Sequence, residues 1–235
     1  MIFSRQLRGL FVLPIIILGA CDSAPVAPTA PPPPTTLAAP TRQVVRWPTA
    51  ASGWNQFTRS TYQIALPASW QEIKLQPDAL RDALARAQEN NPPLADALET
   101  LLASGQYQGF IFYAADDNAA PLATTLALAR APLPPNQTIE TLAQIYSEAL
   151  PNLIRGAQVT RAPSTLKINN MDVAAFEYTL ALVDTRGKLV TLRGQQYLYV
   201  LDSGDAYLVT ITGDAADTAL PAQARAIAET FAANP

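Results

Sequence analysis

The sequence predicts an α+β fold in which an antiparallel β-sheet carries helices on both faces. Three observations lead there. The C-terminal third alternates strand-like segments with Asp-, Gly- and Ser-rich turns, the pattern of an antiparallel meander. Four other stretches repeat apolar residues at helical spacing. Strand segments such as Tyr197-Leu198-Tyr199-Val200-Leu201 are apolar at every position, so neither face of the sheet can be left to solvent.

The elements follow in order. Gln43-Val44-Val45-Arg46-Trp47 reads as a short strand stopped by Pro48. Residues 60–66 alternate up to Pro67, with Tyr62, Ile64 and Leu66 on one face. After Pro77, Leu80, Ala83, Leu84 and Ala87 mark a helix. Asn91-Pro92 then caps and starts a second, through Leu94, Ala97, Leu98, Leu101 and Leu102, and Gly105 ends it. Residues 108–113 and 122–129 read as a hairpin across Asp116-Asp117-Asn118. Beyond the prolines at 132–135, Thr138 caps a helix whose apolar face holds Ile139, Leu142, Ile145, Tyr146, Ala149 and Leu150. Residues 157–168 suggest one or two short strands around Pro163, followed by an Asn169-Asn170 turn. Strands at 176–182, 189–201 and 206–212 complete the meander. A last helix aligns Leu220, Ala224, Ile227, Ala228 and Phe231.

The first 41 residues are of another kind. Arg5 and Arg8 precede an apolar run and the small pair Gly19-Ala20, the layout of an export signal over residues 1–20. The run is too short to span a bilayer, which takes roughly 20 apolar residues. The sole cysteine, Cys21, follows directly, and Leu18-Gly19-Ala20-Cys21 resembles the lipobox of bacterial lipoproteins. That resemblance implies a diacylglycerol thioether on Cys21, which becomes the first mature residue. It also implies attachment to the extracytoplasmic face of the cell membrane, where two acyl chains suffice for stable anchoring. Residues 21–41 hold the anchor and an uncharged, proline-rich tether of low complexity. The globular domain spans 42–235.

Composition narrows the chemistry. There is no histidine, and a lipidated Cys21 leaves no thiol, so histidine triads, thiol nucleophiles, Cys/His zinc sites and internal disulfides are excluded. The net charge of −3 becomes more negative once Arg5 and Arg8 are removed, which opposes nucleic-acid binding. No cofactor is expected.

Residues 60–235 resemble the PsbP-like superfamily, of the Mog and LpqN type. The likeness lies in Tyr62-Gln63-Ile64-Ala65-Leu66-Pro67-Ala68-Ser69-Trp70, in Met171-Asp172-Val173-Ala174-Ala175-Phe176-Glu177-Tyr178, in Gln195-Gln196-Tyr197, in Ala206-Tyr207-Leu208-Val209-Thr210 and in the closing helix to Phe231. The resemblance implies an α/β/α sandwich and a non-catalytic binding or assembly role. The two-helix segment at 77–104 is longer than that pattern expects.

Several local motifs have a plainer reading than their chemistry suggests. Ser164-Thr165-Leu166-Lys167 spells S-x-x-K, which works only from a helix start, whereas Pro163 and Asn169-Asn170 favour a strand and turn. The acidic clusters at 116–118 and 202–205 read as turns rather than calcium loops. Glu177, between Phe176 and Tyr178, reads as outward-facing beside solvent or an arginine, with no second carboxylate to make an acid–base pair. Trp54, Phe57 and Trp70 form a candidate interaction surface. Two functions fit: a lipid-anchored, non-catalytic module for an unknown envelope protein, or a binder of a small apolar ligand with helices 77–104 as its lid.

Overall fold

The structure is a computed structural model that describes residues 51–116, 118, 122–133, 137–154, 156–184 and 187–233. The expected strand at 43–47 and Cys21 lie outside these residues. The N-terminal part gives β1 (Trp54–Thr58), β2 (Tyr62–Pro67) and β3 (Trp70–Glu72), then α1 (Pro77–Asn90) and α2 (Pro92–Ser104). Next come β4 (Phe110–Asp116), β5 (Thr125–Pro132) and α3 (Ile139–Leu153). The meander is β6 (Ala157–Ile168), β7 (Met171–Val183), β8 (Leu189–Val200) and β9 (Asp205–Asp214). The chain closes with α4 (Leu220–Thr230) and β10 (Ala232–Ala233).

Seven strands form one antiparallel sheet in the order β3-β4-β5-β9-β8-β7-β6, and β1-β2-β10 form a second, smaller sheet. Because side chains alternate across a strand, each buried strand feeds both faces. Tyr199, Tyr207, Val209, Ile211, Phe112, Leu126 and Leu128 face one way. They meet Leu220, Ala224, Ile227 and Ala228 of α4 and Tyr62, Ile64 and Leu66 of β2. On the opposite face α1 and α2 close over Tyr113 and Ala115 through Leu80, Leu98 and Leu101. On that face α3 covers Ala174, Leu198 and Leu208, and further along Phe176, Tyr178 and Leu180. Helices therefore lie on both faces, as the all-apolar strands require.

The helix ends are set by their caps. The Asn91 side chain accepts a hydrogen bond from the Leu94 amide, and Gly105 adopts φ 72°, the left-handed conformation that ends α2. Thr138 Oγ1 accepts from the Thr141 amide at the start of α3. At the end of α4 the Thr230 hydroxyl donates to the Ala65 carbonyl and accepts from its amide, both at 2.9 Å, which pins the helix to β2. Tyr199 donates to the Ala228 carbonyl at 2.6 Å, which also accepts from the Phe231 amide at 3.1 Å, so β8 is tied to the end of the helix. Asn169 and Asn170 both take positive φ, as the tight β6–β7 turn demands.

Three local expectations need correction. The strand expected from residue 108 begins at Phe110, because Gln106–Gly109 winds as a 3₁₀ turn. Its hairpin partner runs three residues later than expected and ends at Pro132, where a strand can tolerate a missing amide. The segment 157–168 is one continuous strand. It is the edge of the sheet, and it absorbs Pro163 through register shifts between Val159 and Arg161 and between Arg161 and Ser164. The short strands β1, β3 and β10 have no periodic pattern long enough to announce them.

The core carries an alkaline signature. Burial is the leading cause that pushes Tyr62, Tyr113 and Tyr197 up to about 12, and it also raises Tyr146, Tyr178 and Tyr199. An unfolded tyrosine ionises near 10. These groups therefore contribute stability that is intact below pH ~10 and declines as pH rises towards about 12, because only the unfolded chain can release the protons. Tyrosinate absorbance at 295 nm, followed against pH, is expected to rise mainly in one step coincident with loss of the near-UV circular dichroism. A gradual rise near pH 10 with the fold intact would contradict the burial of these hydroxyls.

Candidate functional site

The three aromatic candidates do not form one surface. Trp70 is 1% exposed and belongs to the core, so it is removed from any interaction surface. It sits on β3, where β3 pairs with β4. Phe57 is half-buried, its ring centroid 5.3 Å from that of Phe112, and Trp54 is half-buried opposite Pro67. Both pack against the main core from the small sheet.

The helices at 77–104 lie over the sheet, as a lid would. Their apolar faces are closed, with Leu80 and Leu98 fully buried against one another and the β4 side chains.

A concave feature lies elsewhere, on the α4 face. Helix α4 covers β2, β8 and β9 but stops short of the far side of the sheet. Where β6, β7 and β8 run past its edge, a groove of about 210 Å³ opens to solvent. Its floor is built by register. Ala175 of β7 lies between Ser164 of β6 and Tyr197 of β8, and Glu177 lies between Arg161 and Gln195. Pro221 and Arg225 of α4 form one wall.

The polar side chains that line the groove are internally wired. Tyr197 donates to Gln195 Oε1 at 2.8 Å, and Gln195 Nε2 donates to Glu177 Oε2 at 3.2 Å. The other oxygen of Glu177 faces Arg193 Nε at 3.6 Å, an ion pair too long to be a hydrogen bond. Arg193 Nε is accordingly buried without a hydrogen-bond partner among the described residues. Glu177 thus stands beside an arginine, as its position in the sequence suggests. On the wall, Arg225 donates from Nε to Glu229 at 2.7 Å and from Nη2 to the Lys167 carbonyl at 3.3 Å. Tyr197 is pushed up to about 12, burial leading and Arg225 opposing, so its hydroxyl is a donor throughout the physiological range. The arrangement suits recognition by hydrogen bonds and charge; nothing in it pairs a nucleophile with a base.

The remaining motifs have structural roles. Ser164 and Lys167 lie on β6, and Lys167 pairs with Asp172 at 2.8 Å. Asp116 Oδ1 accepts from the Asn118 amide, an Asx turn. Asp205 holds Arg130 in a two-pronged contact at 2.8 and 3.2 Å. The groove went unread in the sequence because it is assembled from three strands and a helix. Its one local signal is the polar run Arg193-Gly194-Gln195-Gln196 inside an otherwise apolar strand.

No protein-family model matches the chain, and no curated protein does. Solved structures do. The cyanobacterial PsbP (CyanoP) of Synechocystis sp. PCC 6803 aligns with a TM-score of 0.50 at 10% identity, over 79% of this chain and 95% of that one. LpqN of Mycobacterium tuberculosis, described as involved in cell envelope biogenesis, aligns at 0.45 and 14% identity, over 74% and 83% of the two chains. The Saccharomyces cerevisiae Ran-binding protein Mog1p aligns at 0.45 and 9% identity, over 76% and 94%. The alignment to CyanoP gives the domain a PsbP-like α+β fold, and at these identities the likeness is one of fold alone. Among the described residues no helix is long and apolar enough to cross a membrane.

Proposed function

We propose that this protein is a non-catalytic binding module, moored to the outer side of a bacterial membrane through a lipid on Cys21, and that the β6–β8 groove is where it meets a partner protein. The groove is the observation that carries the reading. It is open to solvent, sets charged and hydrogen-bonding side chains among apolar ones, and is smaller than the roughly 300 Å³ at which small-molecule pockets begin. Those properties favour a segment of another protein over an enclosed apolar ligand. The anchor rests on the lipobox-like Leu18-Gly19-Ala20-Cys21, and the proline-rich tether would hold the domain clear of the lipid.

Two measurements test the reading. Radiolabelled palmitate is expected to enter the full chain expressed in a bacterium. A Cys21→Ser chain should take up no label and leave the membrane fraction; equal labelling and retention would end the anchor. Benzoylphenylalanine placed at Ser164 is expected to cross-link a discrete protein in the envelope, whereas placement at the exposed Gln144 of α3 should not. Identical adducts from both positions would remove the groove as the docking surface.

A further inference from the structure

Resting on that reading of the groove, we infer that its occupant is an acidic segment of the partner, whose carboxylate docks on Arg161 and whose following residues run along β7 and β8 to the exposed apolar pair Val183 and Leu189 at the end of their ladder. The charges decide the first part. The groove and its immediate partners hold three guanidinium groups, Arg161, Arg193 and Arg225, against two carboxylates, Glu177 and Glu229. Glu177 faces Arg193, and Glu229 holds Arg225. Arg161 is left over: it is exposed and makes no ion pair or side-chain hydrogen bond among the described residues. A free guanidinium fork that lines the groove together with the Ser164 hydroxyl is an excess of donors. A planar carboxylate matches such a fork with two parallel hydrogen bonds. This positive spot lies on a chain whose net charge is −3, so it stands out against its surroundings and would orient an acidic partner.

The second part comes from the sheet face. On the groove side, Glu177, Thr179, Ala181 and Val183 follow one another along β7, paired with Gln195, Arg193, Thr191 and Leu189 of β8. The neighbouring strands stop early. Strand β6 pairs no further than Leu180 of β7, and β9 no further than Leu192 of β8. The hairpin therefore projects as a two-stranded ribbon, and its last pair, Val183 and Leu189, is 45% and 68% exposed. These are two of the four large hydrophobic side chains that stand exposed among the described residues, and they sit directly opposite each other. From Glu177 to Val183 the ribbon covers roughly 20 Å, at about 3.4 Å per residue. An extended segment with its carboxylate at Arg161 would set an aliphatic side chain about six residues on against this pair.

The probe is a pair of fluorescein-labelled octapeptides, identical except that one carries glutamate and the other glutamine, six residues before a leucine. Binding to the Cys21→Ser full chain is followed by fluorescence anisotropy. The glutamate peptide is expected to bind about tenfold more tightly or better, the worth of one charge-assisted contact. Arg161→Gln should erase that preference, and Val183→Asp should weaken the glutamate peptide while Arg81→Gln leaves it unchanged. Inorganic phosphate at millimolar concentration should compete only weakly. Equal affinity for the two peptides, no binding of either, or full displacement by phosphate, which would mark a free-anion site, overturns the proposal. Self-association reported by sedimentation and abolished by Leu189→Asp would assign this pair to a second copy of the chain instead. If the Ser164 cross-link persists in Arg161→Gln at wild-type yield, the groove remains the docking surface and only the acidic occupant is lost.

Discussion

Phe231→Ala is expected to destabilise the domain by about 3–5 kcal/mol, the range for removing a fully enclosed aromatic side chain. Phe231 is completely buried and closes the chain's last helix. Its ring lies 4.6 Å from that of Tyr199, 5.4 Å from that of Tyr207 and 6.5 Å from that of Tyr62, so one side chain joins β8, β9 and β2. These tilted and offset arrangements add to the area each ring buries. The surroundings cannot collapse easily into the space, because Tyr199 is tied by its hydroxyl to the Ala228 carbonyl and the end of α4 is tied to β2 through Thr230. A rigid cavity costs more than one that relaxes. Urea unfolding followed by tyrosine fluorescence would measure the loss as a lower midpoint at an unchanged slope. A cost under about 1 kcal/mol would mean the three strands do not depend on this ring for their packing. Phe231→Leu, which keeps much of the volume, should recover a large part of the difference.

The position of Phe231 was legible in the sequence as the last member of an apolar stripe with helical spacing, and so was the layering that encloses it. Long periodic segments such as α1–α4 and β7–β9 state their partners' chemistry locally. One face must be covered, and the strand that is apolar throughout must be covered twice. What stayed hidden depends on neighbours distant in sequence. Trp70 stands three residues after Pro67 in a segment too short to show a period, yet its strand is a sheet edge and its side chain enters the core. Pro163 suggests a break, yet an edge strand can leave an amide out of the ladder. Glu177 could be placed beside an arginine, but not beside Gln195 and Arg161, because that row exists only once three strands are in register. The groove is visible only where α4 fails to cover a strand, and helix coverage is set by the whole topology rather than by any window of residues.

The same register yields the sharpest steric prediction. Gly194 of β8 lies opposite Tyr178 of β7, on the α3 face of the sheet. A Cβ at this glycine would fall 2.1 Å from Cζ and 2.5 Å from the hydroxyl of Tyr178, well inside any real contact. The ring cannot swing away cheaply. Tyr178 is 1% exposed, packs with Leu150, Phe176 and Leu180, and reaches Thr212 of β9 with its hydroxyl at 3.4 Å. The glycine is therefore demanded by space and not by backbone conformation, and the tyrosine fills the room that the missing side chain leaves. Gly194→Val should cost about 3 kcal/mol or more, at or above the upper end of ordinary overpacking, since the ring must be expelled from a filled interior. Tyr178→Ala alone should also be costly, through the cavity it leaves. The double variant should be more stable than the sum of the two losses implies, because the new valine occupies part of the vacated ring's volume. A coupling of about 1 kcal/mol or more in that cycle is the expected result, and strict additivity would show that the two side chains do not share this space.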